Sequence, residues 1–278
     1  MTICNILSIA GSDPSGGAGI QADLKTFSAL GTYGAAVITA LTAQNTRGVT
    51  AVETVTPVFV TKQIDAIFDD LRIDAVKIGM LANAAIIKAV AECLRARRPR
   101  WIVLDPVMIA KSGHRLLDEA AVEALRRELL PLASVITPNL PEAAALLDRP
   151  VAADWAGMER DAAALVALGA PNVLLKGGHL PVDTSPDLLR CGEVTLRLDA
   201  RRIHTLNTHG TGCTLSSAVA ALLPQLGDVP AAVRAAKAYI TGAIATSGQL
   251  TVGGGHGPVH HFHQLWQALP RHETESDR

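Results

Sequence analysis

The sequence predicts an α/β protein with three layers, a mostly parallel central sheet carrying helices on both faces. Two observations carry this. Short continuous apolar runs recur along the chain, and a strand buried on both faces reads as such a run rather than as an alternation. Helical patterns separate them, and a β-α-β-α order gives parallel strands joined by helical crossovers. There is also no repeat, no Pro- or Ser-rich linker and no break in composition. Residues 1–271 are therefore expected to form one domain, and the polar residues 272–278 a disordered tail.

The elements follow in order. Ile6 to Ala10 is the first strand, and a glycine loop runs from Gly11 to Gly19. Ile20 to Leu30 reads as a helix with Gly31 as its C′ residue. Ala35 to Thr39 is the second strand. Pro57 opens a helix that reaches Asp70, where its fixed φ suits the first turn. Ala75 to Ile78 is a strand, and Asn83 caps a helix to about Arg97. Trp101 to Leu104 is a strand, Asp118 to Leu130 a helix and Val135 to Ile136 a short strand. Pro141 to Leu147 and Asp154 to Leu168 are helices, and Val173 to Leu175 is a strand. Val194 to Leu198 and Arg202 to Leu206, around Asp199-Ala200-Arg201, read as an antiparallel hairpin at one edge. A long run of small and apolar residues, Leu215 to Leu223, then begins a late helix.

Composition narrows the partners. The formal net charge is −1, which argues against nucleic acid or an anionic membrane as the main partner. Aromatic residues are 3% of the chain, too few for base-stacking platforms. Cys4, Cys93, Cys191 and Cys213 form no CxxC pair, so a disulfide scaffold or cysteine zinc site is not expected and a reducing compartment fits. No apolar run reaches the roughly 18 residues of a membrane span, and no basic segment precedes Ile6. The expectation is a cytoplasmic protein.

The most informative stretch is Asn207-Thr208-His209-Gly210-Thr211-Gly212-Cys213-Thr214. A glycine turn that opens a helix leaves N–H groups without partners, and the helix dipole adds partial positive charge there. Gly210 and Gly212 lack the Cβ atoms that would hold a ligand away from the backbone. Cys213 places a reactive side chain among those N–H groups. The plainer reading is a helix start with a buried cysteine.

Other polar residues end other strands, where open α/β sheets bind ligands. They are Gly11-Ser12-Asp13, Thr42-Ala43-Gln44-Asn45, Lys77-Ile78-Gly79-Met80, Asp105-Pro106, Thr137-Pro138-Asn139 with Glu142, and Lys176-Gly177-Gly178-His179. Singly each is an ordinary turn; together they put two acids, an amide, a lysine and an anion hole on one rim. Phosphoryl transfer suits that set. Asp105 and Glu142 can hold Mg²⁺ through hard oxygen ligands, Asn139 can position phosphate, and Lys176 can meet phosphate as a point charge. The turn at Thr208 to Cys213 can hold the charge that develops on the transferring group. Gly11 to Gly19 is neither GxGxxG nor a P-loop, and reads instead as a backbone approach to a small substrate. Asp23 on the next helix reads either as a first-turn acid or as a substrate contact. His256, His260, His261 and His263 lack a clean metal-binding spacing. His114, with Lys111-Ser112-Gly113, could form a flap over the phosphates.

These motifs resemble the hydroxymethylpyrimidine/phosphomethylpyrimidine kinases of thiamine biosynthesis, in the ribokinase-like superfamily. The resemblance rests on the segments Ile9 to Lys25, Thr39 to Thr46, Lys77 to Leu81, Asp105 to Met108, Thr137 to Glu142, Lys176 to His179, Gly210 to Thr214 and Gly255 to Val259, in order along nearly the whole chain. It implies a ribokinase-like fold, a homodimer, and ATP- and Mg²⁺-dependent phosphorylation of 4-amino-5-hydroxymethyl-2-methylpyrimidine and then of its monophosphate. By family pattern Gln44 binds the pyrimidine, and a Gln amide does complement the aminopyrimidine edge. Gly11, Asp23 and Met80 would line the same pocket, and Lys237 would lie near the nucleotide unless it is merely solvated. Most of the superfamily carries Asp where Cys213 stands, whereas pyrimidine kinases carry Cys. A helix N-terminus is expected to lower that thiol's pKa from about 8.5. Cys213 is expected to orient the accepting hydroxyl or take its proton late, without a covalent intermediate. The nearest alternatives are a pyridoxine or pyridoxal kinase of the same fold and a non-catalytic vitamer- or phosphate-binding protein.

Overall fold

The computed structural model describes residues 2–108, 117–180 and 183–266. The expected flap at Lys111 to His114 and the expected tail at 272–278 lie outside the described residues.

One nine-stranded sheet forms the centre. Its strands are β1 (Asn5–Ser12), β2 (Tyr33–Asn45), β3 (Gly48–Thr54), β4 (Ala75–Ile78), β5 (Trp101–Leu104), β6 (Val135–Ile136), β7 (Asn172–Lys176), β8 (Asp187–Cys191) and β9 (Val194–Leu198). They lie in the order β3-β2-β1-β4-β5-β6-β7-β8-β9. The strands from β2 to β7 run parallel, while β3 at one edge and β8–β9 at the other are antiparallel. The helices are α1 (Gly19–Ala29), α2 (Pro57–Asp70), α3 (Ala84–Arg97), α4 (Glu119–Ala124), α5 (Leu140–Leu147), α6 (Trp155–Ala167), α7 (Thr211–Leu226) and α8 (Val229–Ala245).

Alternation along each strand splits the core in two. Leu7, Val76, Ile102, Ile136 and Val173 point to one face, where α2 to α6 pack. Ile6, Ala75, Val103, Val135 and Leu174 point to the other, against α1, α7 and α8. Chain order reverses between β1 and β4, since β2 lies to one side of β1 and β4 to the other. Such a switch point opens a crevice beyond the strand ends. β2 outruns β1 and continues in antiparallel pairing with β3, which carries Gln44 past the switch point.

The hairpin expected at 194–206 is corrected. β9 pairs with β8, and the turn between them is Gly192-Glu193, with Gly192 at φ 54°. Residues 202–206 form no strand. The Arg202 guanidinium donates to the carbonyls of Gly178, Leu180 and Thr184, so this segment is tied to a loop rather than to a ladder. The helix expected from Asp118 to Leu130 is α-helical only to Ala124; a π turn over Leu125–Leu129 and a 3₁₀ turn at Leu130–Leu132 complete it.

Candidate active site

The carboxyl ends of the strands enclose a cavity of about 860 Å³. Gly11, Gln44, Met80, Asp105, Asn139, Glu142, Lys176, Thr208, Gly210 to Cys213 and Lys237 all line it. Thus one wall gathers nearly every residue expected from the sequence.

The anion cradle lies at the start of α7. Its N-cap is Gly210 at φ 74°, and no side chain caps the helix. A Cβ at Gly210 would overlap the carbonyl of Gly17, so two loops meet backbone to backbone at this point. The Thr208 carbonyl accepts from the Thr211 hydroxyl at 2.8 Å, which pins the turn. A Cβ on Gly212 would lie 3.3 Å from Lys176 Nζ, so the ammonium reaches the same cradle.

Lys176 ends β7. Its Nζ lies 3.1 Å from Asp105 Oδ1 and 3.9 Å from Glu142 Oε2. Burial disfavours the ammonium, but these two carboxylates outweigh it and raise its pKa. Asp105 directly follows β5; the Thr137 hydroxyl also donates to it, and the Ser216 hydroxyl lies 3.2 Å from its Oδ2. Asn139 and Glu142 form a capping box at α5: Glu142 N–H donates to Asn139 Oδ1 at 2.9 Å, and Asn139 N–H to Glu142 Oε2 at 2.8 Å. The Asn139 side chain therefore keeps its NH₂ end for a ligand. Burial, with Asp105 nearby, pushes the Glu142 carboxyl up to about 7 against the pull of Lys176.

Two expectations are corrected, and of the two readings of Lys237 the solvated one falls. Asp23 is neither a substrate contact nor a first-turn acid. It is fully buried behind the wall and receives Lys77 Nζ at 2.9 Å, Ser8 Oγ at 2.6 Å and Ser217 Oγ at 2.7 Å. It thereby ties β1, β4, α1 and α7 together beneath the cradle. Lys237 is not simply solvated; its Nζ is committed to Asp187 at 2.6 Å and to the Ser185 carbonyl at 3.0 Å. The Cys213 thiol is raised, not lowered. Burial pushes it up to about 11, with Asp23 and Asp105 adding to the effect and Lys77 opposing it. At neutral pH it is a thiol.

Lys77, His209 and the Asp13 carboxylate have no role that local sequence pattern reveals. His209 Nε2 lies 2.7 Å from Asp13 Oδ2 and 3.4 Å from Gln44 Nε2. Asp13 also accepts from the N–H groups of Ser15 and Ala18 and from the Ser15 hydroxyl. Burial alone would raise its carboxyl; the bonds from His209 and Ser15 prevail and hold it at about 2. The signal for His209 was its place inside the glycine turn. Of the other histidines, His261 Nε2 lies 3.1 Å from the Thr214 hydroxyl. Among the described residues no three His, Cys, Asp or Glu side chains gather as a metal site. All four cysteines are free, and no described helix is long and apolar enough to cross a membrane.

Comparison with known proteins agrees with this geometry. A family model described as phosphomethylpyrimidine kinase matches residues 13–260. A hydroxymethylpyrimidine/phosphomethylpyrimidine kinase of Salmonella typhimurium is 57% identical over 262 residues, covering 94% of this chain and 98% of the relative. A phosphomethylpyrimidine kinase structure from Clostridium difficile superposes with a TM-score of 0.78 at 46% identity, covering 87% of this chain and 99% of that one. The ADP complex of Bacillus subtilis pyridoxal kinase reaches a TM-score of 0.88 at 38% identity, covering 95% and 100%. The fold is ribokinase-like, and the chain belongs to the phosphomethylpyrimidine kinase family.

Proposed function

We infer that the protein transfers the γ-phosphoryl group of ATP to the hydroxymethyl oxygen of 4-amino-5-hydroxymethyl-2-methylpyrimidine, and then to the resulting monophosphate, in thiamine biosynthesis. The observation that carries the reading is the single cavity in which Gln44, the open start of α7, Lys176 and the Asp105–Glu142 pair meet.

Gln44 reads the aminopyrimidine edge, with Gly11 and Met80 against the ring. The Cys213 thiol touches the accepting hydroxyl and orients it. Because the thiol is protonated at neutral pH, it is a poor base, and the hydroxyl proton passes late, in a loose transition state, to an oxygen of the transferring phosphoryl group. The hydroxyl oxygen bonds to the γ-phosphorus as the bond to the β–γ bridging oxygen breaks, and ADP leaves. The N–H groups of Gly210, Gly212 and Cys213 and the Lys176 ammonium hold the charge on the transferring group. The Asn139 NH₂ and Thr208 line the phosphate path, and the Lys237–Asp187 pair fixes the loop beside it.

Asp105 and Glu142 would be the hard oxygen donors that hold Mg²⁺. Two carboxylates beside a phosphate path suit an ion that keeps several waters and binds phosphate as well. When bound, the ion would supply charge neutralisation along the phosphate path.

We further propose that residues 1–271 form one kinase domain, since one sheet carries both cores. The protein is proposed to be a cytoplasmic homodimer. Four free cysteines suit a reducing compartment. Leu41, exposed on the β2–β3 hairpin, offers apolar surface to a second copy. Product analysis after incubation with the hydroxymethylpyrimidine, ATP and Mg²⁺ tests the reading: mono- and diphosphate are expected, and neither product would refute it. The likeness to pyridoxal kinase favours a second reading, phosphorylation of pyridoxal. Competition between the two substrates separates them, since the pyrimidine is expected to win.

A further inference from the structure

The Gln44 side chain sits in a network whose polarity can be worked out. Thr42 Oγ1 lies 2.8 Å from the Ser12 carbonyl and 3.1 Å from the oxygen end of the Gln44 amide. Its single proton goes to the Ser12 carbonyl, the shorter contact, which leaves the hydroxyl oxygen as an acceptor. His209 Nε2 lies 2.7 Å from the Asp13 carboxylate, an acceptor only, so Nε2 carries a proton. The nitrogen end of the Gln44 amide, 3.4 Å away, then sets donor against donor. The amide's oxygen and nitrogen ends are nearly isosteric and are assigned from such networks. Turning it end for end resolves both contacts. Its NH₂ donates to Thr42 Oγ1, and its oxygen, in place of a second donor, faces the His209 Nε2–H that Asp13 holds.

His209 is itself held from several directions. Its ring is buried and its backbone N–H donates to the Gly257 carbonyl at 3.0 Å. Asp13 is fixed by Ser15 and Ala18. A Cβ on Gly17 would strike the His209 ring, so the loop is shaped around it. In this arrangement one N–H of the Gln44 amide is satisfied by Thr42, and its oxygen lies against the N–H edge of the His209 ring. The remaining lone pair and N–H face the ligand in a fixed left-to-right order.

We propose that His209, braced by Asp13, is a positioning residue that fixes the end-for-end state of the Gln44 amide, and that this order selects a ring bearing an amino group beside a ring nitrogen. A reversed amide would oppose donor to donor and acceptor to acceptor along that edge. The same order sets which way round the ring sits, and hence whether its hydroxymethyl group points at Cys213. The inference rests on the reading that Gln44 contacts the pyrimidine.

The test compares kcat and KM for the hydroxymethylpyrimidine and for its analogue lacking the amino group, with ATP and Mg²⁺, in the full chain. Gln44→Ala is expected to erase the preference for the amino-bearing ring. His209→Ala is expected to reduce that preference by roughly tenfold to a hundredfold, mostly through KM, as when a buried polar partner is lost. His209→Gln, which keeps a donor at similar reach, is expected to restore most of it, whereas the shorter His209→Asn is not. Should His209→Ala fail to fold, the Gln and Asn variants decide the matter alone. Loss of preference in Gln44→Ala but not in the His209 variants would overturn the proposal and leave the pocket reading intact. An unchanged preference in Gln44→Ala would refute the pocket reading, and the proposal with it. A fall in kcat alone for His209→Ala, with the preference kept, would place His209 in the phosphate cradle and overturn its role here.

Discussion

Two helices begin at the same cavity in opposite ways. α5 starts closed: Asn139 and Glu142 cap each other, and Pro141 removes one N–H from the first turn. α7 starts open, on a left-handed glycine with no side-chain cap. The contrast extends further. α2, α3, α4, α6 and α8 each start with a side-chain oxygen accepting from the first turn, while α1, which also borders the cavity, does not. A cap satisfies a helix's own donors, so the uncapped starts are those left for a ligand. A closed start instead fixes the side chains that form it, which is how Glu142 is held toward Lys176. One start presents backbone N–H groups and the other aims a carboxylate.

The strongest way to break this contrast is from beneath the open start. Lys77→Met would leave the buried Asp23 carboxylate without its cation, at a cost of about 3–5 kcal/mol in stability. Chemical denaturation would measure it, and a cost under 1 kcal/mol would show that the pair does not anchor α7. Gly210→Ala attacks the open start directly, through a strained φ and overlap with the Gly17 carbonyl. Steady-state kinetics are expected to show kcat falling roughly 100- to 1000-fold, as when a transition-state donor is lost. A kcat within a factor of two of wild type would separate the cradle from catalysis.

The closed start responds to pH. The Glu142 carboxyl is raised to about 7, so it gains charge, and its capacity to hold a cation, as pH rises through that value. The pH profile of kcat/KM is expected to rise through about 7, and Glu142→Gln, which can keep the capping geometry, is expected to lose that inflection. For stability the sign is opposite. The raised carboxyl favours the folded state below its ordinary value of 4.5, and that contribution is lost as pH rises through about 7. The smallest effect is expected for Asn139→Ala, which removes one cap at about 1 kcal/mol. Thermal melts would register it, and a neutral result would mean that α5 does not depend on its box.

The layer order and most strand ends were legible because buried parallel strands and helix caps write themselves locally. Asn83, Asp118, Asn139 and Asp154 cap the helices placed after them. The edges were less legible. β3 is nearly all exposed, so no apolar run marks it, and Arg202 turned a strand-like stretch into a loop anchor through its side chain. Asp23, Lys77 and His209 depend on partners far along the chain, which local pattern cannot supply. The raised Cys213 thiol has the same origin: the dipole is local, while desolvation comes from the whole fold.

The Ser217–Asp23 bond spans 194 residues of sequence and the His209–Asp13 bond spans 196. The floor and hinge of the cradle are thus shared between the first and last parts of the chain. A nascent polypeptide could pair β1, β2 and β4 on the ribosome, yet it would hold no phosphate pocket until α7 had been released. Enzymatic competence should therefore arrive all at once, only after α7 has emerged. C-terminal truncations reaching into α7 should behave as substrates for proteolysis rather than as weakened enzymes.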